Sequence, residues 1–265
     1  CISSAASDVY KRQHDTRVCG RGYHAGYPGA HDIDALVLVE NYDIDWIPDF
    51  SRLTCPKLFW SIDGFICQDM HQKMVDKYKI DVVLSSTKAV KFNNAQILWF
   101  PNAYPADLFY NGGIMPEESI DLGFCGTPGN PERQSYIGRL KCEYGLRHDN
   151  MILGDGMVKA IGSYKIHFNR NLANDINART FQTLGCGTFL LTNYTDGLED
   201  LFTIGEHLVT YANYDDCVDK IKYYLGHGTE RSRIARAGFE HARMRHTYLN
   251  RAEELVNIIN ARRGS

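Results

Sequence analysis

Apolar and polar positions alternate along the chain in short blocks. Four blocks in the first hundred residues are apolar and β-rich: 35–40 (ALVLVE), 57–62 (KLFWSI), 80–85 (IDVVLS) and 96–100 (QILWF). Pro56 introduces the second and Asp63-Gly64 ends it, while residues 69–78 have helical character. Short continuous apolar runs suit strands buried on both faces, and strands that alternate with helices predict a parallel α/β sheet. The alternation resumes with strands at 120–125, 150–153, 164–168, 188–192 and 208–211 and helices at 132–144, 214–225, 230–246 and 248–261. Asn130 suits the cap of the helix at 132–144 and Pro131 its first position. Residues 14–31, rich in glycine and tyrosine, and the polar stretch 110–119 are expected to be loops. Between the two series, residues 101–107 place two prolines among polar residues. That segment marks a boundary between a first domain, 14–107, and a second, 108–265.

The stretch 177–192 organises the second half. Ala178, Phe181 and Leu184 fall at i, i+3 and i+6, the spacing of a short amphipathic helix. Asn174 or Asp175 is the expected cap, and Gly185 and Gly187 end the helix before an apolar strand. Arg179 and Gln182 leave the helix on a different side from Phe181. A cation and an amide near a helix N-terminus can hold a phosphorylated ligand, although an ordinary αβ corner with a surface Arg and Gln has the same pattern. The turn 123–129 offers a second phosphate-facing element, in which Gly126 and Thr127 follow a strand and Arg133 lies just inside the next helix. Its G-x-x-G-x-x-G spacing also admits an NAD-linked oxidoreductase or epimerase, but no acidic residue clearly ends the following strand to take a ribose. Asn169 and Arg170 end a strand at its C-terminal edge, where open α/β sheets bind ligands. His167, within that strand, reads as a core histidine.

Composition narrows the classes. A net charge of −3 gives no bulk electrostatic case for nucleic acid or an anionic membrane, and no run approaches a transmembrane span. The eight cysteines form no C-x-x-C pair, and several sit in apolar runs. Buried free thiols in a reducing cytoplasm are expected, rather than disulfides or zinc. Two D-x-D pairs, Asp32/Asp34 and Asp43/Asp45, could hold a divalent metal, but neither stands directly at a strand end. Residues 3–13 (SSAASDVYKRQ) match the in-frame translation of a transposon-based sequencing adapter. They are expected to be an artefact, with the true N-terminus missing.

Arg179, Phe181, Cys186, Gly187, Phe189, Leu190 and Leu191 match an Arg-x-Phe-Glu-x-x-x-Cys-Gly-x-Phe-Leu-Leu pattern, with Gln182 in place of the glutamate. In this the chain resembles the donor-binding half of GT-B glycosyltransferases, closest to the CgeB-like, spore-maturation branch. The resemblance implies two Rossmann-like domains with parallel sheets, the first truncated. It implies transfer of a sugar from a nucleotide-diphosphate donor to an acceptor hydroxyl (on a glycan, a protein or a small molecule), without a cofactor or metal and with retention. Gly126, Thr127, Arg133, Asn169, Arg170, Arg179 and Gln182 would bind the donor. The resemblance includes a Trp-x-x-Asp at Trp60–Asp63 with a histidine nearby, so Asp63 and His71 are the candidate catalytic pair. A non-catalytic nucleotide-sugar-binding protein of the same fold is the alternative, motivated by Gln182.

Overall fold

A computed structural model describes residues 33–40, 47–109 and 117–263. The adapter-like residues 3–13, the stretch 14–31, Asp32, the pair Asp43/Asp45 and most of the loop expected at 110–119 lie outside the described residues. The chain divides into two compact units, one holding the described residues up to Pro101 together with those from Arg251 onward, the other Asn102–Asn250.

The first unit is a four-stranded parallel sheet of β1 (Leu36–Val39), β2 (Lys57–Ser61), β3 (Val82–Ser85) and β4 (Gln96–Trp99), in that order. The register pairs Leu38 with Phe59, Phe59 with Val83 and Val83 with Ile97, so one apolar row crosses all four strands. Helix α1 (Gln68–Tyr78) covers that row with Met74, Val75 and Tyr78, all essentially inaccessible. It stops at Lys79, whose left-handed backbone (φ 52°) closes the last turn.

The second unit begins with the short helix α2 (Ala106–Phe109) and continues with β5 (Ile120–Cys125), α3 (Pro131–Tyr144), β6 (Arg147–Asp149), α4 (Gly154–Gly162) and β7 (Tyr164–Phe168). Then come α5 (Ala178–Gly185), β8 (Phe189–Asn193), α6 (Leu198–Leu201), β9 (Val209–Tyr211), α7 (Tyr214–Gly226) and α8 (Gly228–Arg245). A final helix, α9 (Tyr248–Arg263), carries the chain across the division between units. The five strands are parallel in the order β6-β5-β7-β8-β9. From β5 the chain goes first to one side and then to the other, so the direction of winding reverses between β5 and β7. In an open α/β sheet a crevice forms at that reversal, at the C-terminal ends of the two strands. Phe124, Ile166, Phe168, Phe189 and Leu191 form the buried centre of the sheet against α7 and α8. No helix among the described residues is long and apolar enough to cross a membrane.

The two parallel sheets and their covering helices are the α/β arrangement expected from the apolar blocks. Three local expectations are corrected. The strand expected at 150–153 is irregular: Met151 has φ 55°, and Met151 and Leu153 are 89% and 80% exposed. The strand instead is the polar Arg147–Asp149 just before it, at the sheet edge. Helix α4 follows unannounced, because Gly154 and Gly156 in its first turn mask the buried pair Met157 and Ile161. The cap of α5 is Asn177, whose side chain accepts from the Thr180 N–H at 3.2 Å. Asn174 accepts from the Asp196 N–H instead.

Candidate functional site

The loops that leave β5 and β7 meet at the point where the winding reverses. The first contains Gly126 and Gly129, both at positive φ (148° and 68°), where a side chain would be strained. Thr127 between them is exposed. Asn130 caps α3 by accepting from the Arg133 N–H at 2.9 Å. The Arg133 side chain turns back under the loop and is only 9% exposed. Its Nη1 donates to the Thr127 carbonyl at 3.2 Å, and its Nε (2.8 Å) and Nη2 both donate to the carbonyl of Arg170 in the second loop. Burial above all, with Arg170 and Arg179 nearby, pulls this guanidinium down to about 10.

Asn169 is buried, and its carboxamide is taken up within the protein. Its Nδ2 donates to Thr192 Oγ1 (3.1 Å) and Asn171 Oδ1 (3.2 Å), and its Oδ1 accepts from Asn177 Nδ2 (3.3 Å). Asn171 extends this network to Thr195 Oγ1 at 2.9 Å and, through its backbone N–H, to Asn193 Oδ1 at 2.6 Å. The network joins the ends of β7 and β8 to the cap of α5. Arg170 lies over the ring of Tyr136, with its Cζ 4.4 Å from the centroid, and pairs with Glu132.

Arg179 stands on the first turn of α5, beside Gly126. A Cβ at Gly126 would lie 3.8 Å from its Nη2 and 3.9 Å from its Nε. Its side chain touches the Met157 sulfur, and burial holds its pKa below the usual arginine value. No carboxylate among the described residues lies within ion-pair distance of Arg179 or of Arg133. The backbone beneath Arg179 is fixed by a relay. The Cys125 N–H donates to His167 Nε2 at 3.1 Å, so the ring's hydrogen is on Nδ1 and points to Thr183 Oγ1 at 2.6 Å. Thr183 Oγ1 in turn donates to the Arg179 carbonyl at 2.7 Å. His167 is wholly buried, the core histidine expected from its place in the strand. Gln182 is partly exposed, and its side-chain amide makes no hydrogen bond among the described residues. Gly126, Thr127, Arg133, Asn169, Arg170 and Arg179 are thus brought together at one sheet edge.

Asp63 and His71 belong to the first unit. Asp63 follows β2, and its carbonyl accepts from the N–H groups of Ile66 (2.9 Å) and Cys67 (3.0 Å) where α1 begins. His71 is 0% exposed. Its Nδ1 lies 2.9 Å from Ser61 Oγ, and its Nε2 lies 3.3 Å from Glu40 Oε2, in a direction too poor for a hydrogen bond. Glu40 Oε2 instead accepts the backbone N–H groups of Ile62 (2.7 Å) and Asp63 (2.6 Å). Burial drives the His71 pKa down to about 4, against a smaller upward pull from Asp63. The ring is neutral at pH 7 and buried away from any solute. Glu40, absent from the sequence expectations, carried one signal: it is the acid that ends an apolar strand.

The profile of a family described as "Glycosyl transferase-like" matches residues 125–257, half of the 265-residue chain. No curated protein matches the sequence. Among solved structures, a glycosyltransferase from Rickettsia africae ESF-5 is 9% identical with a TM-score of 0.54, covering 86% of this chain and 98% of that one. Anabaena HepE, solved with UDP and glucose, is 9% identical with a TM-score of 0.57, covering 78% of this chain and 72% of that one. An alpha-glucosyltransferase solved with UDP-glucose and DNA containing an abasic site is 9% identical with a TM-score of 0.61, covering 86% and 80%. At these identities the likeness is one of fold, and the fold is GT-B. The sequence profile covers β6 to β9 and the segments that hold Arg133, Arg170 and Arg179, and by that match the chain belongs to the glycosyl transferase-like family.

Proposed function

We propose that this protein transfers a sugar, of hexose type, from a nucleoside-diphosphate donor to an acceptor hydroxyl, as a CgeB-like member of its family. The observation that carries the reading is Arg179, a buried arginine that lacks a carboxylate partner among the described residues at the reversal of the sheet. Such a charge is costly to bury alone, and a diphosphate at that edge would neutralise it. UDP and UDP-glucose in the solved neighbours support the donor class. Arg179 faces the donor phosphates beside the glycine turn, and Gln182, three residues along the same helix, meets the ribose. Arg179 and the N-terminus of α5 stabilise the departing diphosphate, so no divalent metal is needed. Retention of anomeric configuration follows from the likeness of the central helix to retaining enzymes, and a cytoplasmic setting from the unpaired thiols. The first unit, with Asp63, takes the acceptor. Gln182 also supports a second reading, a nucleotide-sugar-binding protein without turnover, because a carboxamide stands where the family pattern has an acid.

Two measurements test this. Calorimetry with UDP- and GDP-sugars, with and without chelator, will give equal affinities; binding abolished by chelator and restored by Mn²⁺ refutes metal independence. Arg179→Ala will weaken nucleotide binding by about 1.5–3 kcal/mol and Gln182→Ala by about 0.5–1.5 kcal/mol, while melting stays within a few degrees of wild type. Unchanged affinity in Arg179→Ala removes the donor site. Sugar release from a donor panel separates turnover from binding alone.

A further inference from the structure

We infer that Arg133 is a positioning residue that never touches the donor: its guanidinium fork clamps the loop after β5 to the loop after β7, and that clamp sets the pocket in which Arg179 meets the diphosphate. The inference rests on the donor reading above and departs from the simplest form of it, in which every arginine at the edge is a phosphate ligand.

Three features of the arginine support the clamp. Each of its three nitrogens already donates to a carbonyl, Nη1 to Thr127 O in one loop and Nε and Nη2 to Arg170 O in the other. A guanidinium presents its N–H groups in a fixed plane, so one side chain can span two carbonyls at set angles, which an ammonium cannot do. The backbone around it accommodates the fork. Gly129 is at φ 68°, and a Cβ there would come within 3.3 Å of Arg133 Nη1 and 3.1 Å of Leu172 Cδ1, so a larger residue would push both out of place. Asn130 fixes the Arg133 N–H from the other side. The first loop is also tied to β6, where the Gly126 N–H donates to the Asp149 carbonyl at 2.9 Å and His148 Nε2 lies 2.9 Å from the Gly126 carbonyl, and the second is held by the asparagine network beyond Arg170. Arg133 is therefore, with the Arg170–Glu132 pair, a direct side-chain link between the first loop and the second.

Arg133→Lys separates the fork from the charge. Lysine keeps the positive charge and a similar reach but cannot bridge both carbonyls, whereas Arg133→Gln loses the charge as well. If Arg133 positions the loops, both variants will bind UDP about tenfold more weakly than wild type. Backbone amides of residues 126–130 will also exchange with deuterium severalfold faster in both, with or without UDP. Near-native UDP affinity in Arg133→Lys with a loss only in Arg133→Gln overturns the inference in favour of direct charge contact with phosphate. A lower melting temperature with wild-type affinity and wild-type exchange at 126–130 also overturns it, leaving a purely structural arginine. Failure of the donor reading is recognised separately: wild type would then bind neither UDP nor GDP, and the positioning role would fall with it.

Discussion

Phe181→Ala will destabilise the second unit by about 3–5 kcal/mol, the largest loss expected from any single side chain near the site. The ring is wholly buried on the inner face of α5, 5.7 Å from the ring of Phe202 and 5.7 Å from that of His246. Leu184, one turn on, is already pressed against α8 at Gly238, where a Cβ would come within 2.9 Å of Leu184 Cδ2 and 2.2 Å of the His207 carbonyl. Truncation therefore leaves a cavity as well as losing apolar burial. Far-UV circular dichroism on heating should show a drop of roughly 10 °C in melting. Nucleotide affinity measured well below that temperature will change little, because Arg179 and Gln182 leave the helix on another side. A drop of less than about 2 °C would mean that the helix is not held by this ring.

The second large effect depends on pH and lies in the first unit. An unfolded chain protonates His71 near 6.5, whereas the folded one resists until about 4, because burial disfavours the imidazolium. Between those values the unfolded state binds more protons, so stability rises with pH and is lost as pH falls from about 6.5 to about 4. A gap of this size corresponds to about 3 kcal/mol. Trp60 and Trp99 lie in this unit and no tryptophan falls within 102–265, so the second unit adds no tryptophan signal during denaturant unfolding. The expected result is a wild-type curve that weakens by about 2 kcal/mol more than that of His71→Phe between pH 7 and pH 4.5. Parallel curves for the two proteins would show that the histidine is protonated in the fold, paired with Glu40 rather than neutral beside it.

The strands at the sheet centres were legible because burial on both faces demands unbroken apolar runs such as Val82–Ser85 and Phe189–Asn193. The edge strand Arg147–Asp149 was not, since only one of its sides is paired and its residues satisfy one another: Arg147 Nε reaches Asp149 Oδ2 at 3.0 Å. Of the site, Arg179 was legible from its place before Phe181 and the Cys-Gly turn. The asparagine network was hidden, because Asn and Thr at 169–177 and 192–195 have the composition of any polar loop. His71 was found, but its burial could not be read. It depends on β1 lying next to β2, which brings Glu40 alongside residues far downstream.

The arginine beside the glycine turn has a cost for the empty protein. Arg179 is set among Met157, Cys125 and Cys186, sulfur groups that offer a cation little, and no acid among the described residues pairs with it. A neutral side chain of similar length would suit those surroundings at least as well, so selection for stability alone would not keep an arginine there. On the donor reading, the protein trades some robustness without a ligand for affinity with one.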